Sequence, residues 1–143
     1  GQIVVSGKNK DLELLIKELK KKSIKNIKLP VSAPFHCKLM NPATIIMQNE
    51  ILKTQFKDSD NLIISNVTSK EVKKSEEIKD LLIKQIESPV RWREGILYMI
   101  KNNVKNFVEI GPGKILSGMI KRIDRNVKLI QVNNIEDLND LKN

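Results

Sequence analysis

The stretch PFHCKLM, residues 34–40, holds the only histidine and the only cysteine of the 143-residue chain, His36 and Cys37. Imidazole takes and returns a proton near neutral pH, so His36 is the first candidate for a general base. The neighbouring thiol invites a Cys–His dyad. Adjacent side chains of an extended segment point to opposite faces, and that excludes one. Serine offers no substitute, since none of the nine serines stands in a G-x-S-x-G elbow. The chain therefore carries a base without a recognisable nucleophile. With one Cys and one His it can form neither an internal disulfide nor a Cys₂His₂ zinc site, and no metal is expected.

Two further stretches could do chemistry. EIGPGKIL (109–116) has the strand, glycine turn and helix that often cradle phosphate. The Walker pattern fails, because Val108 stands where its first glycine belongs and Ile115 where its hydroxyl belongs. G-x-G-x-x-G fails at Leu116. A tight turn is the favoured reading, with Lys114 left able to meet a phosphate as a point charge. Gln85 is the other oddity, an amide on the apolar Ile78–Leu82–Ile86 helix face. Either its amide reaches water at a boundary, or the last helical turn before Pro89 offers free carbonyls that orient something.

The elements positioning these residues alternate between strand and helix. Residues 3–7 (IVVSG) read as a strand, and Leu12, Leu15, Ile16 and Leu19 recur at helical spacing from Asp11 onward. IKLPV (27–31) reads as a second strand. Asn41 followed by Pro42 predicts a capped helix with Ile45, Leu52 and Phe56 on one side. NLIISNVTS (61–69) is the strongest strand candidate, turning at Asn66 and Thr68, and Ser75-Glu76-Glu77 opens a helix with acids in its first turn. Ser88-Pro89 repeats the cap signal before Trp92, Ile96, Met99 and Ile100. NFVEI (106–110), a helix over 115–123, VKLIQV (127–132) and a short helix over IEDLNDLK (135–142) complete the chain. Strands separated by helices imply an α/β fold with a largely parallel sheet.

Composition narrows the partners. Twenty-six Lys and Arg against 17 Asp and Glu give a net charge of +9, which favours acidic partners. Aromatics at 3% leave few platforms for base stacking, so an acidic protein accounts for the charge better than nucleic acid. No apolar run approaches the ~18 residues of a membrane span, and no signal peptide opens the chain. The single cysteine points to a reducing, cytoplasmic compartment. A strand-like opening without an initiator methionine is expected of a piece of something longer, or of a clipped tag.

Taken in order and spacing, LPVSAPFHCKLMNPA, NLIISNVTS, QIESPVRW and FVEIGPGKILSGMIKRI resemble the C-terminal half of the malonyl-CoA:acyl-carrier-protein transacylase family. The opening GQIVVSGKNKDLE resembles the end of that family's small ferredoxin-like subdomain. The resemblance implies residues 1–29 as the tail of that subdomain and 30–143 as the C-terminal part of an α/β-hydrolase-like parallel core. It also implies ping-pong acyl transfer. A serine in G-H-S-x-G takes malonyl from coenzyme A and hands it to the phosphopantetheine thiol of acyl carrier protein, with no cofactor beyond the coenzyme A thioester as substrate. The histidine of P-x-H-C-x-L-M, here His36, is implied as that serine's base. The main-chain carbonyl of the glutamine in Q-x-x-x-P-V-x-W, here Gln85, is implied to hold the other ring nitrogen. Phe35, just before that histidine, is implied as the acyl-pocket residue that favours malonyl over methylmalonyl, although some malonyl-specific members carry serine there, with packing of the segment against the core as the alternative. Lys114, Lys121, Arg122 and Arg125, placed on one broad face of a helix beginning near Lys114, are candidates to meet the acidic carrier protein, with a plain solvated face as the alternative.

The serine, the arginine that clamps malonyl and the G-Q-G-S oxyanion segment all precede this chain's first residue in the family pattern. The expectation is a chain inactive alone, needing the N-terminal half of the same enzyme as a partner. A second expectation is a non-catalytic module that kept a surface for acyl carrier protein or coenzyme A. A third, a basic nucleic-acid binder, requires steeply salt-dependent affinity.

Overall fold

Six α-helices and four short strands are found among residues 2–140, the part of the chain described by this computed structural model. They fall into two compact units, Gly1–Val90 and Arg91–Asn143.

In the first unit, α1 (Asn9–Lys21) forms where Leu12, Ile16 and Leu19 share a face, with Asp11 in its first turn and Lys20 and Lys21 in its last complementing the helix dipole. The expected strands on either side of it are absent among the described residues. A strand exists only through a partner's N–H and C=O groups, and residues 3–7 and 27–31 have no ladder. Val31 N–H also bonds back to Leu29 O at 2.9 Å, a bend that breaks the second run at Pro30.

A 3₁₀ turn, Lys38–Met40, runs directly into α2 (Asn41–Lys53). Asn41 already has helical angles (φ −50°, ψ −40°), so it is the first residue of the helix and not its cap. The helix also ends before Phe56, and Ile45 and Leu52, expected on one side of it, are more than half exposed.

The long strand expected over 61–69 shrinks to β1 (Ile63–Ile64), paired antiparallel with β2 (Glu71–Val72). Ser65 N–H bonds to Lys70 O and Ser69 N–H to Ser65 O, with Ser69 at φ 57°, so the chain doubles back at Ser65. The turn expected at Asn66 and Thr68 is the turn of this hairpin, and the strand before it is only two residues long.

Helix α3 (Ser75–Gln85) follows. Asp58 supplies its cap from 17 residues away. One carboxylate oxygen accepts Ser75 N–H at 2.9 Å and the other takes Lys74 Nζ at 2.7 Å. The inner face is the expected one, with Leu81 buried and Ile78, Leu82, Gln85 and Ile86 half-buried.

The second unit is a compact βαβ. Helix α4 (Trp92–Lys101) starts three residues after the expected Ser88-Pro89 cap, because Ser88 N–H bonds back to Lys84 O and so closes α3 instead. β3 (Asn106–Ile110) and β4 (Lys128–Val132) lie parallel in the register Asn106↔Lys128 to Ile110↔Val132, with α5 (Ile115–Ile123) as the crossover. Ile96, Ile120 and Val132 form the core of this unit. Helix α6 (Ile135–Asp140) packs on β4, and the expected continuation to residues 141 and 142 lies outside the described residues. The fold class is α/β as expected, but it holds one parallel pair and one antiparallel ribbon where a largely parallel sheet was anticipated.

Candidate active site

His36 sits in the tight turn leading to the 3₁₀ segment, with φ 59°. A non-glycine residue in this left-handed region is uncommon, and histidine is among the types that adopt it more readily. The turn redirects the chain sharply, so the extended-segment argument against a Cys–His dyad does not describe this geometry. The outcome is the same for another reason: Cys37 Sγ donates to Pro34 O at 3.1 Å and is spoken for there.

The imidazole reaches 49 residues along the chain, its Nδ1 lying 3.0 Å from the main-chain oxygen of Gln85. A carbonyl oxygen only accepts, so Nδ1 carries the proton and, in the neutral ring, Nε2 holds the lone pair. His36 is exposed, and among the described residues Nε2 makes no hydrogen bond. The ring is thus oriented at one end and open at the other, as a general base must be.

The sequence explains why the Gln85 carbonyl is available. In a continuing helix it would accept from the N–H of residue 89, and residue 89 is proline, which has none. The turn after α3 closes on earlier carbonyls, with Ile86 N–H on Ile83 O and Glu87 and Ser88 N–H on Lys84 O. Of the two readings left open for Gln85, the main-chain carbonyl is the one that orients a partner. Its half-buried side chain has an additional neighbour that sequence reasoning missed, Asn66, whose Nδ2 lies 3.5 Å from Gln85 Oε1. The signal was Asn66 itself, a turn-forming amide within the strongest strand candidate.

Phe35, which immediately precedes His36, is 49% exposed. It is not buried as core packing.

In the second unit the GPG turn is not a phosphate cradle. Gly111 (φ 131°) and Gly113 (φ 97°) supply the positive backbone angles the turn requires. Their amides are engaged, Gly111 N–H by Val132 O at 2.9 Å and Gly113 N–H by Asn133 Oδ1 at 2.6 Å. The N-terminus of α5 is occupied as well. Glu109, on β3, accepts Leu116 N–H at 3.0 Å and Ser117 N–H at 2.7 Å through its two oxygens. The Ser117 hydroxyl, followed by the Ser117 N–H, holds the Glu109 carboxyl below the usual carboxylate range. The anion this helix end attracts is already built in.

Lys114, Lys121, Arg122 and Arg125 are all exposed. Lys114 is the N-cap residue of α5 and Arg125 lies beyond its C-cap, Asp124. Only Lys121 and Arg122 belong to the helix, in its last turn, so the single four-residue helical face drawn from the sequence does not form. Among the described residues no group of three or more His, Cys, Asp or Glu side chains is placed to hold a metal ion, and no helix is long and apolar enough to cross a membrane.

An α/β scaffold presenting a lone imidazole, oriented by a helix-end carbonyl and open at Nε2, is equipped for acid–base work on a group brought from elsewhere. No family model matches the chain. Among curated proteins it is similar over 96% of its length to the malonyl CoA-acyl carrier protein transacylases of Bacillus subtilis (42% identical) and Staphylococcus aureus (37% identical). The chain spans 44–45% of those relatives' length. Among solved structures it resembles the malonyl CoA-acyl carrier protein transacylase of Clostridium perfringens, with TM-score 0.84 and 36% identity over 92% of this chain and 42% of that one. The acyl-carrier-protein-S-malonyltransferase of Bartonella henselae matches with TM-score 0.89 and 35% identity over 94% of this chain and 43% of that one. A third, with TM-score 0.85 and 31% identity over 92% of this chain and 43% of that one, is a malonyl-transacylase in complex with a type II PKS acyl-carrier protein.

Proposed function

We propose that this chain is the base-bearing part of a malonyl-CoA:acyl-carrier-protein transacylase serving fatty-acid biosynthesis in the cytoplasm. The observation that carries this reading is the 3.0 Å contact between His36 Nδ1 and Gln85 O, which leaves Nε2 as the free proton acceptor. Nε2 takes the hydroxyl proton of a serine on the rest of the enzyme as the serine oxygen attacks the malonyl thioester. The imidazolium returns that proton to the departing coenzyme A sulfur. In the second half, Nε2 takes the proton of the carrier-protein thiol as its sulfur attacks the malonyl ester, and gives it back to the serine oxygen. His36 is the general base and acid, and the Gln85 carbonyl keeps its ring aimed. Phe35 borders the acyl group. Lys121 and Arg122, with Lys114 and Arg125 on the flanking turns, attract the acidic carrier protein. The coenzyme A thioester is the substrate, and no cofactor takes part.

Residues 1–29 and 30–143 correspond, in this reading, to the tail of a ferredoxin-like subdomain and to the C-terminal part of the acyltransferase core. The experiment is to join the chain to the remaining length of a relative, or co-express the two, and measure malonyl transfer from malonyl-CoA to acyl carrier protein. Transfer is expected in the assembly, and His36→Ala is expected to lower it by roughly two to four orders of magnitude, the scale of losing a general base. Activity within threefold of the parent would remove His36 from the mechanism. A well-folded assembly that transfers nothing yet still binds acyl carrier protein would favour the non-catalytic binding module.

A further inference from the structure

One hydrogen bond fixes a distance but leaves the ring and the segment that carries it free to pivot. His36 has one, to Gln85 O. A second tie joins the same two segments five residues further along. Asn41 donates from Nδ2 to Glu87 Oε1 at 3.1 Å, across 46 residues. Asparagine at the head of a helix ordinarily turns its side chain onto the following main-chain N–H groups. Here Asn41 is already helical, no side chain caps α2, and the amide is directed at Glu87 instead. Glu87 lies two positions beyond Gln85, in the turn whose N–H is fixed on Lys84 O. Between the two ties the chain is stiffened by Met40 N–H on Cys37 O at 2.9 Å and by Cys37 Sγ on Pro34 O.

We infer that Glu87, acting through Asn41, is a positioning residue for His36. Its carboxylate anchors the start of α2 to the end of α3, and so holds the 36–41 segment in the one register that keeps Nδ1 on Gln85 O. The inference rests on the reading of His36 as the base, but it makes a separate claim about the ring that is measurable without any transfer reaction. Asn41 is exposed and Glu87 only half-buried, so when either partner is truncated water can reach the other and the fold is not at stake.

His36 is the only histidine, so nitrogen-detected spectra of the labelled 143-residue chain contain a single imidazole. The parent is expected to show the neutral Nδ1–H tautomer. Glu87→Ala and Asn41→Ala should each shift the ring toward the tautomer mixture of a free imidazole, with loss of the Nδ1–H signal. Glu87→Gln, which keeps an Oε1 acceptor, should restore it. Glu94→Ala, which removes an exposed carboxylate of the second unit, should change nothing. In the assembled enzyme Glu87→Ala should lower the turnover number about threefold to tenfold with KM unchanged, the scale of one hydrogen bond. Parent-like ring signals in both Glu87→Ala and Asn41→Ala overturn the positioning role, whatever the activity. A tautomer response in the labelled chain, alongside an assembly that transfers no malonyl, supports the positioning role and overturns only the acyl-transfer reading. A parent ring already in the Nε2–H form overturns both.

Discussion

Proline 89 stands four residues after Gln85, and because it has no N–H the Gln85 carbonyl is left to His36 Nδ1, 3.0 Å away. The acceptor is the main chain, so the two kinds of substitution at Gln85 should separate. Gln85→Ala keeps the carbonyl and loses only the long contact with Asn66, and transfer by the assembled enzyme should stay within about threefold of the parent. Gln85→Pro distorts the last turn of α3 and swings the carbonyl off the ring. A displacement of that order should cost about 10²-fold in turnover. Initial rates at saturating malonyl-CoA decide it, and small, equal effects from both changes would put the carbonyl's role in doubt.

A second pair of contacts predicts how the fold answers to acid. Asp58 is held below the usual carboxylate range by its hydrogen bond to the Lys74 side chain and then by Ser75 N–H, and Glu109 is held low by Ser117. A carboxyl whose folded pKa is depressed stabilises the fold in full above its unfolded value, about 4. That contribution is lost as the pH falls through the folded value. Melting temperature should therefore be flat from neutral pH to about 5 and drop below about 4. Glu109→Gln should melt lower than the parent at neutral pH and follow a shallower decline in acid. Parallel curves for the two proteins between pH 7 and 3 would show that the cap on α5 does not contribute through its charge.

The second unit was nearly transparent in the sequence, and the first was not. β3 and α5 fall at the residues that pattern and turn chemistry indicated, because β3 pairs with β4 only one helix further along the chain and α5 packs on both. The same local logic fails for residues 3–7 and 27–31, where β-branched runs find no partner strand among the described residues, and Ile3 and Ile27 stay 89% and 75% exposed. β-propensity describes a fit to a sheet, not the presence of one. His36 and Gln85 were named from motifs. Asn66 and the Asn41–Glu87 tie were not, since contacts across 19 and 46 residues leave no periodicity behind. Asn41 was read as a cap because its neighbours could not reveal that the preceding 3₁₀ turn already supplies the helical geometry.

The basic residues after the GPG turn give a third prediction, narrowed by the geometry. Lys121 and Arg122 close α5 side by side and exposed, while Lys114 and Arg125 sit off the helix. If the carrier protein is drawn to this end of α5, Lys121→Glu with Arg122→Glu should slow its association about tenfold at low ionic strength, and the deficit should shrink as salt shortens the ~10 Å screening length of 0.1 M solution. Stopped-flow association at two salt concentrations reads this directly. An unchanged rate at low salt would assign the pair to an ordinary solvated face.

Phe35 yields the last prediction, which concerns the acyl group. Phe35 is 49% exposed and immediately precedes His36, whose left-handed backbone turns the chain sharply, so it is not buried within a core. If the ring borders the acyl α-carbon, as proposed, it leaves no room for a methyl branch there. Excluding one methyl is worth about 1–3 kcal/mol, or roughly 10- to 200-fold in discrimination. The assembled enzyme should prefer malonyl-CoA to methylmalonyl-CoA within that range, and Phe35→Ser should narrow the ratio mainly by raising kcat/KM for the branched thioester. Because the substitution removes an exposed ring, the melting temperature should hardly move, which separates lost selectivity from lost fold. Equal use of both thioesters by the parent, or a ratio unaltered by Phe35→Ser, would take Phe35 out of the acyl pocket.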